Sequence, residues 1–220
     1  MMKLFSKSKP ADGQPVKKKS QLRDWTEALV VAAVLALILR TFVVQAFKIP
    51  SGSMEDTLLI GDHLLVNKFV YGLNLPFTEE PVLAMRDPKR GDIVVFEFPD
   101  DKDKSYFKRR DFIKRVIGEP GDKIEIRNKN VYVNGERYRI PEAVYKDGNM
   151  TAGPRDNMRP VTIPTDKFFV MGDNRDRSYD SRFWRFVDRS EIKGLAFIKY
   201  WSWNSEKFSP RWNRIGRVIE

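Results

Sequence analysis

Ser53 stands in the run Ile49-Pro50-Ser51-Gly52-Ser53-Met54, directly after a greasy stretch, residues 28–47, that is punctuated by Arg40. A serine hydroxyl attacks a carbonyl when a neighbouring base takes its proton, so the first question is which base the chain can offer. There is one histidine, His63, and no cysteine, which excludes a thiolate nucleophile, a thiolate metal site and a disulfide. His63 sits in the alternating run Asp62-His63-Leu64-Leu65-Val66 and reads as an ordinary strand residue. Lysine is the main alternative, because burial makes an ammonium give up its proton readily. A nucleophile placed where an apolar segment ends implies chemistry on something that also lives in a membrane.

The elements that position these groups follow from composition. A chain of 220 residues suits one domain with appendages. Its formal net charge of +10 is unevenly spread: Lys3, Lys7, Lys9, Lys17, Lys18, Lys19 and Arg23 face only Asp12 before residue 24. A basic tail directly ahead of an apolar segment reads as a positive-inside anchor facing anionic lipid. No helix-turn-helix, zinc-finger or RNA-binding aromatic motif is present, so nucleic acid is not an expected partner. The domain plan is a cytoplasmic basic tail over residues 1–24, a transmembrane helix over 25–46 and an outer domain over 47–220. A helix of that length reaches across a hydrocarbon core of about 30 Å at about 1.5 Å per residue. The competing reading is a cleaved leader with Val44-Gln45-Ala46 as its processing site. Arg40, between the apolar run and that site, disfavours it; in a retained anchor it snorkels to the headgroups.

Beyond the anchor the pattern is β. Short runs rich in branched and aromatic residues predict strands over residues 64–68, 93–98, 112–117, 124–126, 131–133, 138–140, 168–171 and 195–201. Turn chemistry separates them, and Asn134-Gly135 is a strong two-residue hairpin signal. Residues 141–165 carry four prolines and little periodicity, which predicts an irregular excursion. The fold class is a mostly β domain of short antiparallel strands, tethered by one N-terminal helix.

Four separated segments carry the chemistry. They are Pro50-Ser51-Gly52-Ser53-Met54; Arg90-Gly91-Asp92-Ile93-Val94-Val95-Phe96; Phe112-Ile113-Lys114-Arg115-Val116-Ile117-Gly118, running into Pro120-Gly121-Asp122; and Gly172-Asp173-Asn174-Arg175-Asp176, continuing to Ser178, Asp180, Ser181 and Arg182. In this order and spacing, over roughly residues 25–200, the chain closely resembles the bacterial type I signal peptidases, or leader peptidases. The resemblance implies that Ser53 is the nucleophile and Lys114 its general base. It implies that Ser178 orients the lysine amine, that the Ser51 hydroxyl joins the Ser53 backbone N–H in an oxyanion hole, and that Asp180 and Arg182 support the site. Phe47, Ile49, Leu58 and Ile113 fall where the family lines shallow pockets for small substrate side chains. One departure is Glu55-Asp56, because the family usually has proline where Asp56 stands.

Elementary chemistry is consistent with this. A lysine of ordinary pKa, about 10.4, is protonated at neutral pH, so the site must desolvate it. Strand alternation puts Phe112, Lys114 and Val116 on one face, giving Lys114 apolar neighbours. Taken alone, Lys114 reads as a solvated strand lysine; Lys108, Arg109 and Arg110 read as surface charges. Asp173, Asn174, Asp176 and Asp180 resemble an oxygen-ligand loop for calcium. Arg175, Arg177 and Arg182 beside them favour internal ion pairs instead, and no metal or organic cofactor is implied. Trp201, Trp203, Trp212 and Phe208 form a late aromatic cluster, suited to a core or to a membrane interface.

The resulting expectation is a serine endopeptidase of the bacterial cytoplasmic membrane that removes N-terminal signal peptides from exported preproteins. Its N-terminus is cytoplasmic and its catalytic domain lies on the outer face. Its partners are signal peptides, the phospholipid bilayer and, by proximity, the export machinery. Two alternatives are a self-cleaving Ser/Lys protease of the repressor type and a non-enzymatic, membrane-tethered binding domain.

Overall fold

A computed structural model describes residues 21–38, 44–72, 82 and 84–219. The chain divides into two units, Met1–Ile38 and Leu39–Glu220. In the first, the Ala- and Leu-rich run Gln21–Ile38 forms helix α1, with Arg23 Nε donating to Glu27 Oε1 at 2.9 Å one turn later. Among the described residues no helix is long and apolar enough to cross a membrane. The basic tail ahead of Gln21 lies outside the described residues, as do residues 39–43.

The helix expected to run to residue 46 is corrected here. Val44–Lys48 form strand β1, antiparallel to β2 (Asp62–Asn67), with Val44 opposite Asn67 and Lys48 opposite His63. Branched and aromatic side chains such as Val44 and Phe47 suit a pleated surface, and the neighbouring strand satisfies their backbone groups.

The second unit is mostly β. Further strands are β3 (Ile93–Glu97), β4 (Asp111–Gly118), β5 (Lys123–Arg127), β6 (Asn130–Val133), β7 (Glu136–Arg137), β8 (Met158–Thr162), β9 (Lys167–Met171), β10 (Val187–Asp188) and β11 (Ile192–Asn204), with short β12 (Ser209–Pro210) and β13 (Arg217–Val218). The larger sheet runs β1-β2-β11-β3-β4-β9-β10, with β12 and β13 pairing to β11; the smaller runs β7-β6-β5-β8. Every named pair is antiparallel. The four-residue helix α2 (Ser181–Trp184) is the longest α-helix described in this unit.

Alternation along β3 shows how the core is divided. Ile93 and Val95 enter one apolar cluster with Ile49, Met54, Leu58, Leu64 and Val66. Val94 and Phe96 enter another with Val116, Phe168 and Val170. A third cluster joins Ile117, Phe169 and Met171 of the larger sheet to Ile124, Ile126, Val131 and Val133 of the smaller. β6 turns into β7 through Asn134 and Gly135, both at positive φ (53° and 89°), the hairpin geometry this pair favours. The strand expected over residues 138–140 lies two residues earlier, because that tight turn sets the register at Glu136 and Arg137.

The excursion expected over residues 141–165 contains one regular element, β8, at the edge of the smaller sheet. Its Pro160 falls at a register irregularity opposite β5, where a missing N–H costs no ladder bond.

Candidate functional site

Ser53 lies in the short 3-10 turn Gly52–Met54 that follows β1, reached through an extended Ser51 (φ −136°, ψ 157°). Met54 is completely buried and anchors the turn in the core below. Above it, the loop after β9 grips the backbone of the same turn. Asn174 N donates to Ser53 O at 3.2 Å, and Asn174 Nδ2 donates to Gly52 O at 3.1 Å. Gly172 makes this approach possible: a Cβ there would lie 2.3 Å from Ser53 O and 2.3 Å from Ser178 Oγ. β1 and β4 are separated by three strands in the larger sheet, so the sheet must curl to bring the Ser53 turn against β4.

β4 supplies Lys114, 4% exposed, whose Nζ lies 2.7 Å from Ser53 Oγ and donates to Ile113 O at 2.9 Å. Its neighbours are apolar, as alternation requires. Lys114 pairs across the sheet with Val94, and its Nζ is 5.3 Å from the Phe112 ring centre. Burial lowers its pKa to about 8, against the pull of the Asp180 and Asp173 carboxylates, while the charge of Arg182 lowers it further. An amine at that value is still mostly protonated at pH 7, but about a tenth of it is neutral, far more than for an ordinary lysine, and that form places a lone pair beside the serine hydroxyl.

The remaining expected residues fall into place unevenly. Ser178 is buried at 6% exposure. Against the effect of burial, Arg182 and, more weakly, the Ser178 hydroxyl hold the Asp180 carboxylate low, although by geometry that hydroxyl makes no hydrogen bond among the described contacts, to Asp180 or to Lys114. Asp180 accepts from Arg182 Nε at 2.8 Å, from Gly172 N at 3.0 Å and from Arg182 N at 3.3 Å, capping α2. Arg182 in turn donates to the carbonyls of Arg175 (2.6 Å) and Arg155 (2.9 Å), which ties the loop together. Ser51 is exposed and its side chain makes no cap to the turn. Phe47, Ile49, Leu58 and Ile113 do come together, in one apolar cluster. Ile49 and Leu58 are buried (2% and 0% exposed), while Phe47 and Ile113 are only partly covered.

His63 belongs to β2, and its ring packs edge-on against Tyr200 at 5.9 Å. The acidic loop is built from ion pairs: Asp173 with Arg115 (2.8 Å), Asp176 with Lys129 (2.9 Å) and Asp180 with Arg182 (2.8 Å). Lys108 and Arg110 are exposed, as expected. Trp212 and Phe208 are 73% and 83% exposed, so the late aromatic cluster stands largely on the surface.

Sequence reasoning did not find the partners of two acidic groups beside the serine. Asp173 receives Arg115 through both Nε (2.9 Å) and Nη2 (2.8 Å), and its Oδ2 also accepts from Thr57 Oγ1 at 2.6 Å. Glu55 and Asp56, the departure from the family pattern, are held by Lys146 at 3.0 and 3.2 Å. Arg115 sits beside Lys114 and Asp173 beside Asn174, so their place within the motifs was the available signal.

This layout, a serine hydroxyl bonded to a buried and easily deprotonated lysine, can carry out serine–lysine hydrolysis of an acyl bond. Comparison with known proteins gives the family. The model of "Signal peptidase, peptidase S26" matches residues 22–201. Signal peptidase I of Pseudomonas aeruginosa is 35% identical over 95% of this chain and 84% of its own length. The probable signal peptidase I-2 of Synechocystis is 42% identical over 80% of this chain and 73% of its own length. Signal peptidase I P of Bacillus subtilis subsp. natto is 38% identical over 76% and 81%. The chain belongs to the signal peptidase family, peptidase S26, and is a serine endopeptidase that cleaves signal peptides.

Proposed function

We propose that Ser53 and Lys114 form the catalytic dyad of this endopeptidase. The observation that carries the reading is the 2.7 Å contact between Ser53 Oγ and the buried Lys114 Nζ. Neutral Lys114 takes the hydroxyl proton as Ser53 Oγ attacks the scissile carbonyl. The ammonium so formed protonates the leaving amine, and an acyl-enzyme remains. Lys114 then activates the water that releases the acyl group. The Ile113 carbonyl holds the amine in line with the hydroxyl, and Ser178 acts one step back, through Asp180.

Negative charge develops on the carbonyl oxygen only as the reaction proceeds. The Ser53 N–H and the exposed Ser51 hydroxyl are the donors proposed to meet it. Ser51→Ala should therefore lower kcat by about 10²–10³ with KM and Tm little changed. A change confined to KM or Tm would remove Ser51 from the machinery. Phe47 and Ile113 form the accessible wall of the substrate pocket and Ile49 and Leu58 its floor. A floor this well packed leaves room for small side chains on the acyl side of the scissile bond.

The domain is proposed to be tethered by the N-terminal apolar segment in the bacterial cytoplasmic membrane, with the basic tail inside and the active site outside. Support comes from the seven basic residues before Trp25 and from the positive-inside preference. In this arrangement the bilayer and the export machinery are neighbours of the enzyme, and exported preproteins are its substrates. The dyad is tested by cleavage of a signal-peptide-like substrate with detergent-solubilised protein. Ser53→Ala and Lys114→Met should each fall to background, and His63→Ala should remain active. An active Lys114→Met protein contradicts the proposal.

A further inference from the structure

Behind the loop that grips Ser53 lies a pocket of about 420 Å³, remote in sequence from the serine and lined by Arg137, Tyr138, Arg139, Tyr145 and Arg175 among others. Its cationic lining is the unusual feature. Arg175 is 3% exposed, its Nε is buried with no hydrogen-bond partner, and its Nη1 reaches only the Tyr145 hydroxyl at 3.4 Å. Burial holds its guanidinium below the usual value and the charge of Arg182 pushes the same way, while Tyr145 and, from further off, Asp180 and Asp173 oppose them. The nearby carboxylates are engaged elsewhere: Asp173 pairs with Arg115 and Asp180 with Arg182. Arg137 and Arg139 are exposed, and Arg137 Nη2 donates to Asn130 Oδ1. Glu142 offsets part of this charge, since it acts on both Arg115 and Tyr138.

A buried cation without a direct ion-pair partner is expensive, on the order of several kcal/mol, and an anion in contact with it relieves that cost. Guanidinium groups present a planar fork suited to the oxygens of phosphate or a phosphate ester. We propose that this pocket binds a phosphate-type oxyanion, with Arg175 at its base and Arg137 and Arg139 at its rim. The Tyr138 hydroxyl adds a neutral donor, whereas that of Tyr145 already donates to Lys129 O at 2.9 Å. Either a soluble phosphate or a phospholipid headgroup offers this chemistry. Occupancy also bears on the loop: Arg175 N donates to Val144 O at 3.0 Å, and the adjacent Asn174 holds the backbone of Ser53. An anion at Arg175 therefore stiffens the segment next to the serine, whatever that serine does.

The test is a calorimetric titration of inorganic phosphate into the full chain in neutral detergent, with ionic strength held constant by chloride, and Tm followed in parallel. Saturable binding at one site is expected, with Tm rising as phosphate binds the folded state. Arg139→Ser and Arg137→Ser should each weaken binding by about tenfold, the loss of one charge-assisted contact. Arg175→Met should abolish it. Should Arg175→Met fail to fold, the exposed double variant Arg137→Ser/Arg139→Ser decides, because neither side chain is in the core. Absence of saturable binding, or wild-type affinity in the folded double variant, overturns the proposal. A water-soluble short-chain phosphatidic acid separates the two sources. Tighter binding than inorganic phosphate assigns a lipid headgroup, and equal or weaker binding assigns a soluble phosphate.

Discussion

Lys114 and Lys199 are both buried lysines whose ammonium form is disfavoured chiefly by desolvation, yet their surroundings differ. Lys114 meets a serine hydroxyl at 2.7 Å. Lys199, on β11, reaches only the Thr57 carbonyl, at 3.4 Å. The serine in the second region is already engaged, since Ser202 Oγ donates to Asp62 Oδ1 at 2.6 Å. Asp62 also accepts from Arg214 Nη2 at 2.6 Å, so that region is a closed ion-pair network. Burial alone yields a lysine that holds its proton weakly; a nucleophile within reach and an open side for substrate are needed to give that lysine work. Thr57 links the regions, its hydroxyl bonded to Asp173 and its carbonyl to Lys199 and Arg214. The segment after the proposed nucleophile is thus held from both sides.

The strongest way to break the comparison is Lys114→Met. Peptidase activity should fall to background, and adding Ser53→Ala should make it no worse, because residues that act as one unit are non-additive. The same change should stabilise the fold at neutral pH. Depression of the lysine from 10.5 to about 8 means that folding opposes the charged form, at a cost on the order of 3 kcal/mol at pH 7. Between about pH 8 and 10.5 the unfolded chain holds the proton that the folded chain has lost, so this penalty fades as pH rises. Urea denaturation of wild type and Lys114→Met at pH 7 and pH 10 should show the gap narrowing.

Asp173→Asn should destabilise by about 3–5 kcal/mol, because it leaves the buried Arg115 without its counter-charge. Denaturation midpoints check this, and an unchanged midpoint would mean that Arg115 finds another partner. Gly172→Ala forces a methyl into Ser53 O and Ser178 Oγ, for a cost of about 1–3 kcal/mol. Because the methyl presses on the proposed nucleophile's own carbonyl, kcat should fall more than KM changes. Lys199→Met is the smallest change expected: a folded protein with kcat/KM close to wild type. A large loss of kcat in Lys199→Met, at unchanged Tm, would erase the distinction between the two lysines.

Much of the candidate site was legible because its chemistry is local. Ser53, Lys114 and the 172–182 loop each sit in a short motif, and the strand faces around Lys114 follow from alternation. What the sequence concealed was set by contacts across long separations. Arg115 finds Asp173 58 positions away and Thr57 finds Asp173 116 away, and no local pattern encodes either. Strand β1 was hidden for another reason: Val44 to Phe47 continue an apolar run, and only pairing with β2 makes them a strand. β8 was masked by Pro160, which an edge strand tolerates and a central one does not. The Ser178 role stayed with the family resemblance, since among the described contacts its hydroxyl makes no hydrogen bond to the lysine amine.

The central claim is that the neutral form of Lys114, made accessible by its lowered pKa, is the base beside Ser53. Its most direct test is an NMR titration of the Lys114 side chain, assigned by comparison with Lys114→Met, set against the pH profile of kcat/KM. The expected result is a midpoint near pH 8, with kcat/KM rising through the same pH to a plateau as the amine loses its proton. A lysine that titrates at the ordinary value near 10.5, or a rate that rises without following its titration, would contradict it.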